Sequence, residues 1–555
     1  MPSTYSRWYH PYDTNDKYTR RVAYFCMEYA IHQSLKIYSG GLGFLAGSHM
    51  RSAFDLRQNM VGIGMLWKYG YYDQERNEDQ SMRPHFIQKY YNYLQDSGIT
   101  VRVVVNNHPV LVKAMVLKPE VFGTAPIYFL TTDVPENDHL ARTITNRLYD
   151  PEPNARIAQS IVLGIGGAKV IEALGGAEIY HMNEGHALPL AFHLYQEYGQ
   201  KEEVRRRMVF TTHTPEKAGN EEHDIQMLHD MSFFNGISLD EAKELTGTNG
   251  HMFNHTLVAL RLSKVANGVS QLHGEVARDM WYENEGVCEI KSITNAQNVP
   301  YWMDKNLWEA QERDKDMSLQ RRKEEMKKKL FDVVADQAGK IFKPNVLTIV
   351  WARRFAAYKR ADLLVRDMER FLRLVNKTDM PVQVIWAGKP YPFDHNAVST
   401  FNKLVYISQK LDNVAVLTGY ELGLSRKLKH GADVWLNTPR RPREASGTSG
   451  MSAAMNGAIN FSVQDGWLPE FAHHGENSFV LPVVDTELPD ELQDEEDYNN
   501  MMRILEQQVV PMYYRDRDRW VHIMKQSMRD VVPAFSSDRM AHQYYEQMYN
   551  YQSRT

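Results

Sequence analysis

The sequence predicts an α/β fold built from two doubly wound, Rossmann-like domains. At 555 residues the chain is too long for a single hydrophobic core. In both halves, short apolar runs typical of buried strands alternate with helical stretches, which is the pattern of parallel sheets covered by helices. Several glycine-rich or cation-rich segments follow a predicted strand directly, and open α/β sheets bind their ligands at that edge. We therefore expect a ligand site at the carboxyl ends of the strands.

The first predicted strand covers residues 22–27 and leads to a glycine-rich loop at 38–43, after which residues 44–56 have a helical pattern. A strand, a glycine loop and a helix start often cradle a phosphate, because the first N–H groups of a helix have no partner within the helix. A lone glycine cluster is weak evidence, since many such clusters are plain turns. The loop is therefore a candidate phosphate site that needs support from other residues.

The rest of the first half also alternates between strands and helices. Residues 61–150 contain β-like runs at 101–105 and 126–130 and are interpreted as an insertion on the sheet. The elements predicted beyond this insertion are a helix at 155–173, a strand at 178–181, a helix at 187–198, a strand at 207–212 and a helix at 256–267.

A highly charged helical segment at 305–340 opens the second half, and we interpret its basic run at 321–329 as a solvated helix face. Residues 486–500 are acidic and are expected to form a loop, and the tail beyond them is expected to be helical. The strands predicted for this half are 346–351, 382–387, 414–417 and 433–436.

The expected domains are an N-terminal Rossmann-like domain with a β-rich insertion at 1–304, a C-terminal Rossmann-like domain at 305–530, and a C-terminal helix at 531–555 that packs back on the N-terminal domain. The composition, with 43% hydrophobic and 24% charged residues, is ordinary for a soluble globular protein.

The bulk properties also indicate which partners to expect. The net charge is −5, so nothing favours a nucleic acid or an anionic membrane as a partner. No apolar run reaches the roughly 18 residues of a membrane span, and the N-terminus lacks the apolar segment of a signal peptide. Cys26 and Cys288 are far apart and form no metal-binding pattern. These features favour a reducing cytoplasm and predict no metal.

The stretch at 437–457 carries most of the candidate chemistry. Prolines end the strand at 433–436, and residues 444–450 are small and hydroxyl-rich, so that their backbone can approach a ligand closely. A helix is expected from Met451, and a strand, a tight loop and a helix start together favour an anion site. Glu444 at the mouth of this loop would accept hydrogen bonds from hydroxyl groups. A sugar phosphate or a nucleotide sugar would satisfy both features.

Two further segments follow predicted strands. Arg354 and Lys359 are five residues apart after the strand at 346–351, where a guanidinium fork and an ammonium group are suited to a phosphate. The alternative is a surface ion pair at a helix start. His213 ends the strand at 207–212 and would donate to a sugar hydroxyl or serve as a structural histidine. No second metal ligand lies at the right spacing from it.

These segments resemble the α-glucan (glycogen/starch) phosphorylases, in particular the short bacterial form. The similarity extends from the loop at 39–43 through the segments at 292–302, 353–360 and 437–457 to the C-terminal helix. It implies the GT-B architecture, in which two Rossmann-like domains face a cleft. It also implies retaining glucosyl transfer between an α-glucan and glucose 1-phosphate, and a homodimer.

The resemblance assigns roles to individual residues of this sequence. It implies that the side chain of His213 contacts the glucose 6-hydroxyl and that its carbonyl faces the anomeric carbon. Asn183 lies in a motif on the sugar side, and Leu42 lies in the substrate-binding glycine loop. The other implied glucose contacts are Asn295, Glu444, Ser446 and Gly447. The implied phosphate contacts are Gly41, Arg354, Lys359 and Thr448.

The resemblance also implies pyridoxal phosphate as cofactor, with Trp302 packed near it. In the family, the phosphate of this cofactor exchanges a proton with the substrate phosphate, and the aldehyde end only anchors it to a lysine. Position 452 corresponds to that lysine and is a serine here. A serine cannot form an imine, so covalent attachment at Ser452 is excluded.

Three hypotheses about Ser452 stay open, and a laboratory change of lysine to serine is a further explanation. In the first, the chain is a phosphorylase that binds pyridoxal phosphate without the covalent link, which should weaken binding. In the second, it is a glucosyltransferase of the glycogen-synthase type that takes a nucleotide sugar, which Ala296 and Asn298 favour because both depart from the family on the cofactor side. In the third, it is a non-catalytic relative that binds glucan.

Overall fold

The computed structural model describes residues 4–552 and divides the chain into two compact units. The first unit contains Met1–Tyr72, Phe86–Thr294 and Ser537–Thr555. The second unit contains Asp73–His85 and Asn295–Ser536. Each unit has a sheet whose strands are mainly parallel and are connected by helices. The predicted α/β fold class is therefore confirmed, and both sheets are consistent with the GT-B fold.

Each predicted apolar run overlaps a strand, and the structure adds further strands that were not predicted. In chain order the strands are β1 Val22–Phe25, β2 Met60–Met65, β3 Asp73–Arg76, β4 Met82–His85, β5 Gln95–Val105, β6 His108–Leu117, β7 Ile127–Thr131, β8 Ile179–Asn183, β9 Met208–Thr211, β10 Glu222–Asp224, β11 Met252–Asn254, β12 Val265–Gly268, β13 Glu289–Ser292, β14 Leu347–Ala352, β15 Val382–Ala387, β16 Val414–Leu417, β17 Val434–Asn437, β18 Ile459–Ser462 and β19 Phe479–Val480.

The helices connect these strands and form the C-terminal part of the chain. They are α1 Gly41–Asp55, α2 Pro119–Phe122, α3 His139–Thr143, α4 Pro153–Ile161, α5 Gly167–Ala173, α6 Leu190–Tyr198, α7 Lys201–Arg207, α8 Ile225–Asp230, α9 Leu239–Thr246, α10 His255–Arg261, α11 Gln271–Trp281, α12 Val299–Trp302, α13 Lys305–Glu312, α14 Asp316–Ala338, α15 Met368–Val375, α16 His395–Ser408, α17 Leu422–Gly431, α18 Ser449–Ala454, α19 Asp490–Ile504, α20 Val510–Arg515, α21 Arg517–Phe535 and α22 Ser537–Tyr544.

The sheet of the first unit has the order β13-β12-β9-β8-β1-β2-β7-β6-β5. The strands from β13 to β7 are parallel, and β6 and β5 extend the sheet in antiparallel pairs. Among the parallel strands, those that follow β1 first in the chain lie on one side of it, and those from β8 onward lie on the other side. The switch point is therefore between β1 and β8. Such a switch point leaves a crevice at the carboxyl ends of the two central strands, and ligands bind there in open α/β sheets.

The sheet of the second unit is parallel throughout, in the order β16-β15-β14-β17-β18-β19. This is the doubly wound order 3-2-1-4-5-6, in which β15 and β16 are added on one side of β14 and the last three strands on the other. The switch point lies between β14 and β17. The residues just after these two strands are therefore the ones placed for ligand binding. They include both the Arg353–Lys359 segment and the loop that begins at Asn437.

In helix α14 the basic run at 321–329 is not the fully solvated face that the sequence predicts. Lys323 and Lys327 are buried, because they lie four residues apart on the same helical face as Leu330 and Val334, which enter the core. The ammonium group of Lys327 forms an ion pair with Asp433. The long apolar stems of lysines allow such burial when the charged end finds an acceptor.

Two other expectations also need correction. The predicted helix at 256–267 ends at Arg261, and its last residues form β12, a buried strand of the central sheet. The acidic segment at 486–500, expected to be a loop, is largely the first part of α19, which buries Tyr498, Met501 and Met502. None of the helices that the structure describes is long and apolar enough to cross a membrane.

Candidate functional site

A buried cluster of charged side chains lies at the switch point of the second unit. Arg353 follows β14 directly, and Glu444 lies in the loop after β17. One oxygen of Glu444, Oε2, is 2.7 Å from Lys359 Nζ and 3.1 Å from Arg353 Nη2. All three side chains are about nine-tenths buried or more. The strand order thus brings together two segments that are 85 residues apart along the chain.

The electrostatics of this cluster favour the ionised form of Glu444. Burial alone would raise the pKa of this carboxyl group, but the charges of Lys359 and Arg353 and the hydrogen bond from Lys359 hold the pKa below its ordinary value. The charge of Arg354 acts in the same direction. Three cations therefore surround one carboxylate, and the excess positive charge suits a phosphate.

The two adjacent arginines have different environments. Arg354, the predicted phosphate ligand, is exposed, whereas Arg353 is 6% exposed. Arg353 uses Nη2 to bind Glu444, and its Nε and Nη1 have no hydrogen-bond partner among the described residues. Buried donors are nearly always paired in folded proteins, so this pair of N–H groups indicates a missing acceptor. The sequence did not indicate Arg353, because β14 ends at Ala352 and the strand pattern no longer determines which of the two arginines turns inward.

The loop after β17 approaches the cluster closely. Gly447 has a φ of +82°, and a Cβ atom there would lie 3.3 Å from both Arg353 and Glu444. Ser446 is buried, and its Oγ has no hydrogen-bond partner among the described residues. Thr448 is buried at the N-cap of α18, which has only six residues. A helix this short contributes little dipole, so the positive charge comes mainly from the cations rather than from the expected helix terminus.

Asp465 supports this loop and was not selected from the sequence. Its Oδ2 accepts a hydrogen bond from the backbone N–H of Glu444 at 2.9 Å, and its Oδ1 accepts one from Gly466 at 2.8 Å. Burial raises the pKa of Asp465 to about 7, with a further contribution from the charge of Glu444. This aspartate therefore fixes the position of Glu444 through the backbone.

Trp302 and Ser452, the residues expected near the cofactor, are both fully buried in the second unit. The Nδ2 atom of Asn456 donates to the carbonyl of Trp302 at 3.0 Å and to that of Ser452 at 2.8 Å. The hydroxyl of Ser452 donates to the carbonyl of Ser449 in its own helix. Asn298 caps α12, the short helix that ends at Trp302, through a hydrogen bond from the N–H of Tyr301. The asparagine at 298 therefore has a structural explanation.

These surroundings fit a phosphorylated aromatic cofactor in two respects. The indole of Trp302 supplies a flat apolar wall, and the unpaired N–H groups of Arg353 supply donors for a phosphate. Asn295, at the start of the second unit, is buried and has an Oδ1 atom with no hydrogen-bond partner in the described part of the chain. This oxygen is suited to accept a hydrogen bond from a ligand hydroxyl.

The first unit places the expected glycine loop at its own switch point. Helix α1 begins at Gly41, and its N-cap, Gly40, makes no side-chain hydrogen bond. Gly41 is exposed and Leu42 half-buried, and a Cβ atom at Gly41 would meet nothing within 4 Å. In contrast, a Cβ atom at Gly47 would lie 2.0 Å from the carbonyl oxygen of Ala30. The start of this helix is therefore open, while its middle is pressed against the segment after β1.

His213 and Asn183 come together at the ends of β9 and β8. The ring Nε2 of His213 is 2.7 Å from Asn183 Oδ1, so the N–H of the ring donates to the amide oxygen. Asn183 in turn donates to the sulfur of Cys26, which follows β1. Burial lowers the pKa of His213 to about 3, helped by the charges of His273 and His186. His213 is therefore a neutral hydrogen-bonding residue near neutral pH.

Glu184 holds the loop that carries His213. Its Oε2 accepts hydrogen bonds from the backbone N–H of His213 at 2.9 Å and from the hydroxyl of Thr214 at 3.3 Å. Its own backbone has φ +72° and ψ 167°, a conformation that residues other than glycine rarely adopt. Strain of this kind persists where the surroundings fix it, and it often occurs at functional sites. Its Oε1 accepts a hydrogen bond from the backbone N–H of Gly185 at 3.0 Å, at the start of a short helical turn.

A separate group on the first unit, Glu172, His193 and Glu197, brings its possible ligand atoms within 4.8 Å of one another. Both carboxylates are exposed, and exposed acidic groups often lie together without an ion. We assign no metal to this group.

Comparison with known proteins gives a consistent set of relatives. A family model described as carbohydrate phosphorylase matches residues 303–482. Maltodextrin phosphorylase of Thermococcus litoralis is 34% identical to this chain over 96% of its length and 71% of the relative. Glycogen phosphorylase of Aquifex aeolicus is 31% identical over 96% of this chain and 87% of the relative. An uncharacterized protein of Methanocaldococcus jannaschii is 49% identical over 95% of this chain and 99% of its own length.

Proposed function

Because the chain belongs to the carbohydrate phosphorylase family, we propose that it cleaves α-glucans with inorganic phosphate to give glucose 1-phosphate. The family relationship makes the protein a glycosyltransferase-type enzyme of carbohydrate metabolism. The proposal concerns the finer points, which are the acceptor phosphate, the glucan substrate and the roles of individual residues.

The proposal rests on the part of the Arg353 guanidinium that does not pair with Glu444. Its Nε and Nη1 groups are buried beside Glu444 and Lys359 and have no hydrogen-bond partner among the described residues. A phosphate supplies several acceptor oxygens and negative charge, which this pair of donors and the surrounding cations require. A neutral hexose alone would leave the excess positive charge uncompensated.

We assign roles to the site residues on this basis. Arg354 and Lys359 bind the inorganic phosphate and hold it beside the sugar while the glycosidic bond breaks and the bond from the sugar to phosphate forms. In the reverse reaction the same cations neutralise the charge that grows on the phosphate as it leaves the sugar. Gly41, Leu42 and Thr448 contribute to phosphate binding through the loops that carry them. Glu444 accepts from sugar hydroxyls, and the carbonyl of His213 stabilises the positive charge that develops on the sugar. The further proposed glucose contacts are Asn183, Asn295, Ser446 and Gly447.

Pyridoxal phosphate would supply a second phosphate group that exchanges a proton with the substrate phosphate, as it does in this family. We propose that Trp302 packs against it and that Arg353 donates to its phosphate. Ser452 lies beside this place without the means to attach it covalently. The cations of the second unit would then keep two anions close together, which requires more positive charge than one phosphate does.

A donor and acceptor screen tests the function. Purified protein is incubated with pyridoxal phosphate, maltodextrin and inorganic phosphate, and the release of glucose 1-phosphate is measured. Parallel reactions replace phosphate by UDP-, ADP- or GDP-glucose and measure glucan extension. We expect glucose 1-phosphate to form and none of the nucleotide sugars to be consumed.

Two results would contradict this proposal. Turnover of a nucleotide sugar without phosphorolysis would identify a transferase of the glycogen-synthase type. Glucan binding without turnover of any donor would identify a non-catalytic relative. Mass spectrometry of the ligands that copurify with the protein gives an independent measurement of which donor it binds.

A further inference from the structure

Arg360 is a buried arginine that directly follows Lys359, and the proposed reaction gives it no role. Its backbone has φ +48° and ψ 56°, the left-handed conformation, which costs free energy for any residue with a Cβ atom. Strained backbone of this kind persists only where the surroundings fix it, and it often occurs at functional sites. The contacts that fix Arg360 therefore indicate what it does.

The guanidinium of Arg360 joins the loop after β17 to helix α19. Its Nε donates to the carbonyl of Thr438 and its Nη2 to the carbonyl of Pro439, each at 2.8 Å. On the other side, Nη1 donates to Asp494 at 2.8 Å and Nη2 to Asp497 at 2.7 Å. Hydrogen bonds between ionised groups are stronger than neutral ones, and the planar fork of an arginine fixes their directions. The loop is thereby held against the helix.

The loop after β17 is also hydrogen-bonded to the segment that carries Lys359. The hydroxyl of Thr438 lies 3.0 Å from the carbonyl oxygen of Lys359 and 3.1 Å from that of Arg360. The backbone N–H of Arg440 donates to the carbonyl of Tyr358 at 2.7 Å. The backbone on both sides of Lys359 is therefore attached to the loop that leads to the carboxylate of the site.

Helix α19 binds two further arginines of the same loop. Arg440 is paired with Asp494 through two hydrogen bonds of 3.0 and 2.8 Å. Arg443 is paired with Asp490 in the same way, at 2.9 and 2.8 Å. The two aspartates are four residues apart, so they lie on one face of the helix. The loop at 438–443 is thus attached along its length to an acidic helix face, and Arg360 is the buried part of this attachment.

We infer that Arg360 is a positioning residue for the binding of phosphate. By holding both segments against α19, it keeps Lys359 and Glu444 at their separation of 2.7 Å, in the place where phosphate is bound. Four of the five N–H groups of an arginine are used here on acceptors of the protein, so Arg360 acts through Lys359 rather than on the ligand. This inference rests on the proposed function for the identity of that ligand.

Equilibrium binding of inorganic phosphate tests this inference without turnover. Arg360→Met removes the guanidinium fork and keeps an unbranched side chain. Isothermal titration calorimetry of the full-length protein should give a Kd for inorganic phosphate that is about 10-fold higher or more, because a small displacement of a binding group has a large effect on its interaction. An unchanged Kd in this variant would overturn the inference.

Lys327→Met is the matched control for a general loss of stability. It also removes the cation of a buried ion pair in this unit, but its partner, Asp433, comes just before β17, whereas the loop bound by Arg360 comes just after it. Both variants should unfold at lower denaturant concentration, and only Arg360→Met should bind phosphate weakly. Equal weakening in Lys327→Met would show that the effect is not one of positioning and would overturn the inference.

Arg360→Lys keeps the test decisive where Arg360→Met does not fold. A lysine retains the positive charge between Asp494 and Asp497 but lacks the fork that also reaches the two carbonyls. We expect its Kd for phosphate to rise about 5-fold, which corresponds to the loss of about one hydrogen bond. A folded Arg360→Lys protein with the original affinity would overturn the inference.

The proposed reaction and the role of Arg360 fail in different ways. If the unsubstituted protein binds no phosphate, both are wrong. If it releases glucose 1-phosphate and Arg360→Met binds phosphate equally well, only the role of Arg360 is wrong. If phosphate binding is weakened in Arg360→Met but the unsubstituted protein forms no glucose 1-phosphate from maltodextrin, the reaction is wrong and the positioning role stands.

Discussion

At the residue scale, the two adjacent arginines after β14 should respond differently to substitution. Arg354→Ala removes an exposed guanidinium, so the free energy of unfolding should stay within about 0.5 kcal/mol of the original value. The rate of phosphorolysis should fall about 10- to 100-fold, because a charge-assisted hydrogen bond contributes roughly 1.5–3 kcal/mol. Chemical denaturation and the initial rate of glucose 1-phosphate release measure the two effects.

Arg353→Ala is the control for this prediction. It removes a buried partner of Glu444, so it should reduce both the activity and, by about 2 kcal/mol, the free energy of unfolding. Wild-type activity in Arg354→Ala would refute the phosphate role of Arg354. The sequence could not distinguish these two residues, because the alternation of β14 ends at Ala352 and no longer determines which side chain turns inward.

At the element scale, the start and the middle of α1 should tolerate a methyl group very differently. A Cβ atom at Gly41 meets nothing within 4 Å, so Gly41→Ala should leave stability unchanged or raise it by up to about 1 kcal/mol. Its KM for phosphate should increase several-fold, because the methyl group obstructs the close approach of a ligand to the helix start. Stability and phosphate dependence are measured on the same variant.

Gly47→Ala gives the matched comparison on the same helix. Its methyl group would lie 2.0 Å from the carbonyl oxygen of Ala30, so the helix must move, and the free energy of unfolding should fall by about 1–3 kcal/mol. An unchanged KM in Gly41→Ala would mean that the helix start does not contact phosphate. The glycine loop was visible in the sequence, but the different demands on its glycines depend on the packing of α1.

The ion pair that joins α14 to the segment before β17 should be essential for stability. Lys327→Met would leave the buried carboxylate of Asp433 with the N–H of Thr348 but without its cation. We expect the free energy of unfolding to fall by about 3 kcal/mol, as for other buried pairs that lose one partner. Adding Asp433→Asn should recover part of this loss, and a variant with Lys328→Met, an exposed lysine of the same helix, should be nearly neutral.

The charged helices α14 and α19 show where a prediction of burial or secondary structure from charge content alone fails. Lys323 and Lys327 looked solvated because they belong to a basic run, yet their spacing places them on the buried face. The acidic segment of α19 looked like a loop, although Asp494 forms ion pairs with Arg360 and Arg440 while Met501 is buried. The helical spacing was present in both segments, and the density of charge concealed it.

At the scale of the whole molecule, the strands could be predicted but their order could not. Apolar runs identified most of the strands of both central sheets, and Arg354 and His213 lie just after β14 and β9, where the sequence placed them. The switch point between β14 and β17 depends on contacts between distant segments, which local patterns do not encode. The same holds for Asp73–His85, where Gln74 binds the backbone of Gly388 and Gly419, more than 300 residues away.

The buried histidines of both units predict that the protein loses stability in acid. Burial lowers the pKa of His49 and His213 to about 3 from an ordinary value of 6.5. Burial likewise lowers the pKa to about 4 for His10, His186, His255, His273 and His430. Between pH 6.5 and 4 the unfolded chain therefore binds protons that the folded chain does not, and the free energy of unfolding falls as the pH falls.

Asp465 acts in the opposite direction, because its raised pKa means that the folded chain holds a proton between pH 3.8 and about 7. Burial also raises the pKa of Glu184 and Asp497. The histidines outnumber these three carboxyl groups, so denaturant midpoints measured from pH 7 to pH 4.5 should decline. Each histidine contributes up to about 1.4 kcal/mol per pH unit in this window. His49→Phe removes one titrating group from an aromatic cluster with Tyr24 and Tyr544 and should make the decline shallower. A flat profile would show that these rings become protonated without unfolding.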